Sequence, residues 1–159
     1  MKDYRLYILM RTDLDSMGSG RAAAQASHAT SAFTKSFGPD SKCFRQEVKD
    51  WMKMTKQGFG TAIVLGVTKK QIVDLFNKSL KRWIMKEKIY DPDYKIRVNS
   101  EIFELLAQNY DCKTRDYKFV VDKSEDGSVL ISRNEMTCAY VFGDKEDLVD
   151  SLGELPLYS

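Results

Sequence analysis

The sequence predicts an α/β layered fold, on three observations. Short β-prone apolar runs recur near residues 4–11, 60–67 and 137–143. Segments with apolar residues at helical spacing stand between and after them. Glycine, proline and aspartate cluster at the boundaries. At 159 residues, 43% hydrophobic and 30% charged, the chain can bury one core and is expected to form one domain over 1–159.

Tyr4-Arg5-Leu6-Tyr7-Ile8-Leu9-Met10-Arg11 reads as the first strand. Gly18 and Gly20 are expected to allow a tight loop before a helix that begins at Arg21. There Ala22, Ala26, Ala29 and Phe33 recur on one face. Gly38-Pro39-Asp40-Ser41 ends that helix, and a second is expected over about 42–56, with Phe44, Val48, Trp51 and Met52 turned inward. The nearly unbroken apolar run 60–67 suits a strand covered on both faces. Thr68 is placed to cap a helix carrying Ile72, Val73, Phe76 and Leu80.

A short strand is expected over 84–90, ending at a turn on Asp91-Pro92. Residues 92–136 read as an insertion, with a short helix over 100–109 and a hairpin of 117–121 and 128–131 around Asp126-Gly127. Residues 137–143 form the last strand and 145–152 the last helix.

The formal net charge of +2 raises no general field for nucleic acid, so any basic patch must be local. Cys43, Cys112 and Cys138 show no C-x-x-C spacing and read as reduced thiols. With a single histidine they leave no zinc-ligand set. The apolar run Tyr7 to Met10 is too short for a signal peptide or a membrane span, so the expected location is cytoplasmic, without membrane attachment.

The chemistry concentrates in Gly18-Ser-Gly-Arg-Ala-Ala-Ala-Gln-Ala-Ser-His-Ala29. Arg21, Gln25 and His28 fall at i, i+4 and i+7 and are expected to form a polar stripe beside the small residues. A helix start offers free N–H groups and a positive dipole end, and an arginine there adds a forked donor for phosphate or carboxylate. Two nucleotide loops fit poorly. Gly18-x-Gly20-x-x-Ala23 is separated from Arg11 by six residues rather than standing at the strand end, and no Gly-Lys-Ser/Thr is present.

Arg11-Thr-Asp-Leu14 followed by Met17-Gly-Ser-Gly-Arg-Ala-Ala-Ala-Gln-Ala-Ser-His-Ala29 resembles the signature of the archaeal and eukaryotic type of peptidyl-tRNA hydrolase (the Pth2 family). That family has a strand ending in R-x-D-L, a loop M-G-K-G-K and a helix A-A-Q-x-x-H-A. The resemblance resumes at 60–67 and the helix after it. It returns at 137–143, Asp147 to Asp150 and Leu155-Pro-Leu-Tyr158.

The resemblance implies a three-layer fold, a mixed four-stranded sheet flanked by helices, with the inserted helix and hairpin added. It implies an enzyme that hydrolyses the ester joining a peptide to the 3′ end of tRNA. Peptidyl-tRNA would be the partner and a homodimer a possible assembly, with no cofactor and no metal. The family's loop lysine falls on Arg21, its glutamine on Gln25, its aspartate on Asp91 and its threonine on Thr137. Arg21 and the helix N–H groups would hold the oxyanion or a terminal phosphate. Asp91 would orient or deprotonate water, and Gln25 and Thr137 would hold substrate or water.

Gly18, Ser19, Gly20 and His28 are assigned to substrate binding, His28 as a packed hydrogen-bonding group rather than as the base. Ser19 and Arg21 stand where the family has lysines, and Asp91-Pro-Asp-Tyr94 stands for D-A-G-x-T. Counting back from Thr137 sets Glu125 against the aspartate instead. Asp91 is preferred because it follows a predicted strand at the sheet's carboxyl edge. The run from Lys78 to Lys88 offers Lys81, Arg82 and Lys86 to the tRNA backbone, with Lys113, Arg115 and Lys118 as a second set. The alternative is a non-catalytic tRNA- or RNA-binding or interaction module on the same scaffold, with the insertion as its working surface.

Overall fold

The computed structural model describes residues 2–78, 85–99, 101, 103–104, 129–159 and the backbone of 117–123. Its elements run β1 (Tyr4–Arg11), α1 (Ser19–Phe37), α2 (Gln46–Met52), β2 (Ala62–Val67), α3 (Lys69–Asn77), β3 (Met85–Val98), β4 (Tyr117–Lys123), β5 (Val129–Asp144) and α4 (Lys145–Leu152). The main sheet has the order β2-β1-β5-β3, and β4 pairs with β5 off that path. β2 is parallel to β1, and β5 antiparallel to it, with Ile8 opposite Tyr140 and Met10 opposite Cys138. The sheet is therefore mixed, as expected, and α1 and α2 lie in the crossover that a parallel β1–β2 pair requires.

β1 is buried along nearly its whole length, on both faces, because helices flank the sheet. One face packs Leu6, Tyr140 and Phe142 against Phe33 of α1 and Val48 and Trp51 of α2. Phe33 is the hub. Its ring stacks obliquely on Phe142 at 4.9 Å and meets Trp51 and Tyr140 edge-on at 5.7 and 5.5 Å. The Trp51 indole N–H donates to the Thr61 carbonyl at 3.0 Å, so the ring buries no unsatisfied donor. Thr68 caps α3 as expected. Its hydroxyl accepts from the Gln71 N–H, while the Gln71 side chain accepts from the Thr68 N–H.

The chain divides into two compact units, Met1–Ile89 with Thr137–Ser159, and Tyr90–Met136. In the second unit β4 and the first half of β5 pair antiparallel, with Tyr117 opposite Arg133 and Lys123 opposite Val129, as the hairpin reading anticipates. The Asp126-Gly127 turn lies outside the described residues. Glu101, Phe103 and Glu104 are helical, and the rest of the expected 100–109 helix lies outside as well.

Three elements depart most from the sequence reading. α2 is shorter than 42–56, beginning only at Gln46 and ending at Met52. β3 does not stop at Tyr90 but continues through Asp91 and Pro92 to Val98. It is the edge strand of its path, the position in a sheet that tolerates proline. β5 is one continuous strand of 16 residues, joining the hairpin's second arm to the last strand.

Candidate active site

Residues 12–18 lead from β1 to α1. Leu14 and Met17 are buried and anchor this loop. The Met17 N–H donates to the Leu14 carbonyl at 2.9 Å and the Gly18 N–H to the Ser16 carbonyl at 3.0 Å. α1 then begins at Ser19 with Gly18 as its N-cap. No side chain caps this end and no acid stands in its first turn. The opening N–H groups and the positive dipole end therefore lack the usual internal anion.

Positive φ among the described residues is confined to Gly58, so neither Gly18 nor Gly20 has a backbone conformation that demands glycine. A Cβ at either would meet nothing within 4 Å. This corrects the expectation that the two glycines are there to make the turn tight. Their effect is to leave the ground in front of the helix bare.

Arg21 is exposed one turn into α1, and its Nη1 donates back to the Ser16 carbonyl at 3.3 Å. Gln25 faces the other way. It is 4% exposed, and its Oε1 accepts a 2.7 Å hydrogen bond from the hydroxyl of Thr137, which is fully buried. A buried amide is costly without such a partner. The next residue of β5 adds to the seam, the Cys138 Sγ lying 3.5 Å from the Gln25 carbonyl. Burial pushes the Cys138 thiol up to about 12, against the opposing effect of a Thr137 hydrogen bond.

The expected polar stripe is thus divided. At about 100° per residue, Gln25 falls about 40° outside the arc of Ala22, Ala29 and Phe33 and still packs inward, whereas Arg21 and His28 fall about 80° and 100° beyond the same edge. His28 is exposed, which corrects its reading as a packed ring.

Asp91 belongs to the second unit. It is half-buried within β3, and its carboxylate accepts the Asp93 N–H at 3.0 Å. The Lys86 ammonium donates to the Phe76 carbonyl at the end of α3, at 2.9 Å, and sits 5.1 Å from the Phe76 ring centroid. Lys81, Arg82, Lys113, Arg115, Glu125 and Cys112 lie outside the described residues, and Lys118 is placed in β4 as backbone.

Two sets of supporting residues escape a pattern-based reading. Arg11, nearly buried at the end of β1, donates to the Asp13 carboxylate at 2.7 Å. Asp13 also accepts the Lys69 N–H at the start of α3, at 3.1 Å. Burial acts to raise the Asp13 carboxyl, but Arg11 and the Lys69 N–H outweigh it and hold it below its ordinary value. The R-x-D spacing was the available signal. The second is Tyr158, whose hydroxyl donates to the Met17 carbonyl at 3.2 Å across 141 residues of sequence. No periodicity announces such a contact.

Residues 4–158 match the family model described as peptidyl-tRNA hydrolase PTH2. No curated protein matches the chain. By the family match, the chain falls within a class of hydrolases. The chain belongs to the peptidyl-tRNA hydrolase PTH2 family, whose activity at family level is hydrolysis of peptidyl-tRNA. The resemblance carried by the opening motif is borne out at that level. No helix among the described residues is long and apolar enough to cross a membrane.

Proposed function

We propose that this chain hydrolyses the ester between a peptide and the 3′ end of tRNA, releasing peptide and free tRNA. The observation that carries the reading is the buried Thr137–Gln25 hydrogen bond, which fastens the second turn of α1 to β5 directly behind the uncapped helix start. The family match over residues 4–158 supports the substrate class.

Water attacks the ester carbonyl carbon, the carbonyl oxygen takes on negative charge, and the bond to the ribose oxygen then breaks. One proton of the water ends on that leaving oxygen, and the other is released from the new carboxylic acid as it ionises. Peptidyl esters are intrinsically reactive, so most of the catalytic task is orientation and charge stabilisation. Arg21 and the first N–H groups of α1 offer preorganised donors for the oxyanion. Gln25 and Thr137, being buried, act as positioning residues that fix the direction of the helix start. Asp91 keeps the role given it by the resemblance, orienting or deprotonating the water. The basic run containing Lys81 and Arg82 would meet the tRNA backbone in a salt-sensitive way.

The test is release of peptide from N-acetyl-aminoacyl-tRNA by the purified protein, compared with Asp91→Ala and Glu125→Ala. Turnover lost in Asp91→Ala alone supports the reaction and the assignment. Loss in Glu125→Ala alone retains the enzyme and moves the carboxylate. A folded protein that binds tRNA and releases nothing refutes the proposal.

A further inference from the structure

Residues 155–158 run back along β2 after α4. The Gly66 N–H donates to the Pro156 carbonyl at 2.9 Å and the Tyr158 N–H to the Val64 carbonyl at 3.0 Å, with Leu65 and Leu157 bridged antiparallel between them. Position 66 is glycine, and its bare side is tight toward Thr12, with the returning segment at ordinary contact distance. A Cβ there would come within 3.0 Å of Thr12 Cγ2 and 3.6 Å of Tyr158 Cα. Backbone bonds hold the segment to β2. The Tyr158 hydroxyl adds something different, a link to the loop in front of α1.

That link acts on one peptide plane. The Met17 carbonyl accepts from Tyr158, and the N–H of the same plane, on Gly18, donates to the Ser16 carbonyl. The Ser16 carbonyl in turn accepts from Arg21. The plane that leads into the N-cap is thus held at both of its polar ends. Its orientation sets where the next N–H groups point, because a peptide unit is rigid and turns as a whole.

We infer that Tyr158 is a positioning residue for the start of α1, acting through the Met17 carbonyl. Its catalytic consequence rests on the hydrolase reading above; its mechanical consequence does not. Donors aimed at a developing oxyanion act on the transition state more than on the bound ester, so loosening them lowers kcat rather than raising KM.

The test is Tyr158→Phe, which keeps the ring and the backbone pairing and removes the hydroxyl. Three quantities are measured: amide exchange at Gly18 and Ala22, whose N–H groups are hydrogen-bonded, kcat and KM on N-acetyl-aminoacyl-tRNA, and the melting temperature. The expected result is exchange faster by about fivefold and kcat lower by about fivefold with KM unchanged, the size of one neutral hydrogen bond. Unchanged exchange and unchanged kcat overturn the inference, whatever the melting temperature does. If the unmutated protein releases no peptide, the hydrolase reading has failed separately. Exchange then decides alone, faster in Tyr158→Phe supporting the positioning and equal overturning it.

Discussion

The hydroxyl of Thr137 donates to Oε1 of Gln25 at 2.7 Å, and neither side chain is more than 4% exposed. This contact joins segments of the first unit that lie 112 residues apart in sequence, the helix after the opening loop and the strand that re-enters from the second unit. A polar pair in a dry seam is specific in a way an apolar contact is not. Removing either member costs the other this hydrogen bond.

Thr137→Val removes the donor at nearly constant volume. The expected loss is about 1–3 kcal/mol of unfolding free energy, the cost of a buried acceptor losing its partner. Thr137→Ser keeps the donor and should lose less. Urea denaturation of the three proteins, at equal slope, measures the difference.

Arg21 is the exposed cation nearest the uncapped helix start in sequence. Arg21→Met should lower kcat/KM on N-acetyl-aminoacyl-tRNA by about a hundredfold, as when one oxyanion donor is removed. Arg21→Lys should recover a large part of that loss by keeping the charge. Equal activity in all three proteins would remove Arg21 from the reaction.

Cys138 is buried and its thiol is pushed up to about 12 by burial, whereas Cys43 is exposed. Iodoacetamide at neutral pH should label Cys43 in the native protein and reach Cys138 only on unfolding, as peptide mapping will show. Because the folded value lies above the reference 9.0, this group's contribution to stability is complete below about pH 9 and lost as pH rises toward 12.

Asp13 gives the acid-side counterpart. Its carboxyl is held below its ordinary value, so the stability it contributes is present above the unfolded value of about 3.9 and disappears as pH falls through the folded one. Melting curves of the unmutated protein and Asp13→Asn should differ near neutral pH and converge in acid. A constant gap across that range would contradict the ion pair with Arg11.

The layered fold was legible because its signals are local and periodic. β1, the Thr68 cap and the last helix follow from apolar spacing and cap chemistry alone, and the structure has them where expected. The course of β3 and β5 was not. Asp91-Pro92 carries turn chemistry, yet an edge strand tolerates it. Arg133 and Glu135 look like a solvated break, but they ion-pair with Glu135 buried, and the strand runs through.

In the opening motif, a glycine-containing loop leading into a helix with an arginine in its first turn was readable. That Gln25 turns inward to Thr137 was not, because a glutamine at the margin of a helical face belongs to either side until its partner is known. Tyr158 lay beyond any local reading, since its meaning depends on a segment that returns to β2 from the far end of the fold.

The most direct measurement is kcat and KM for peptide release from N-acetyl-aminoacyl-tRNA by the unmutated protein, Thr137→Ser and Thr137→Val side by side. The account predicts turnover in the first two, and in Thr137→Val a kcat lower by about tenfold with KM little changed, as the helix start loses its fastening. Equal kcat in Thr137→Val, or no release by a folded protein that binds tRNA, would contradict it.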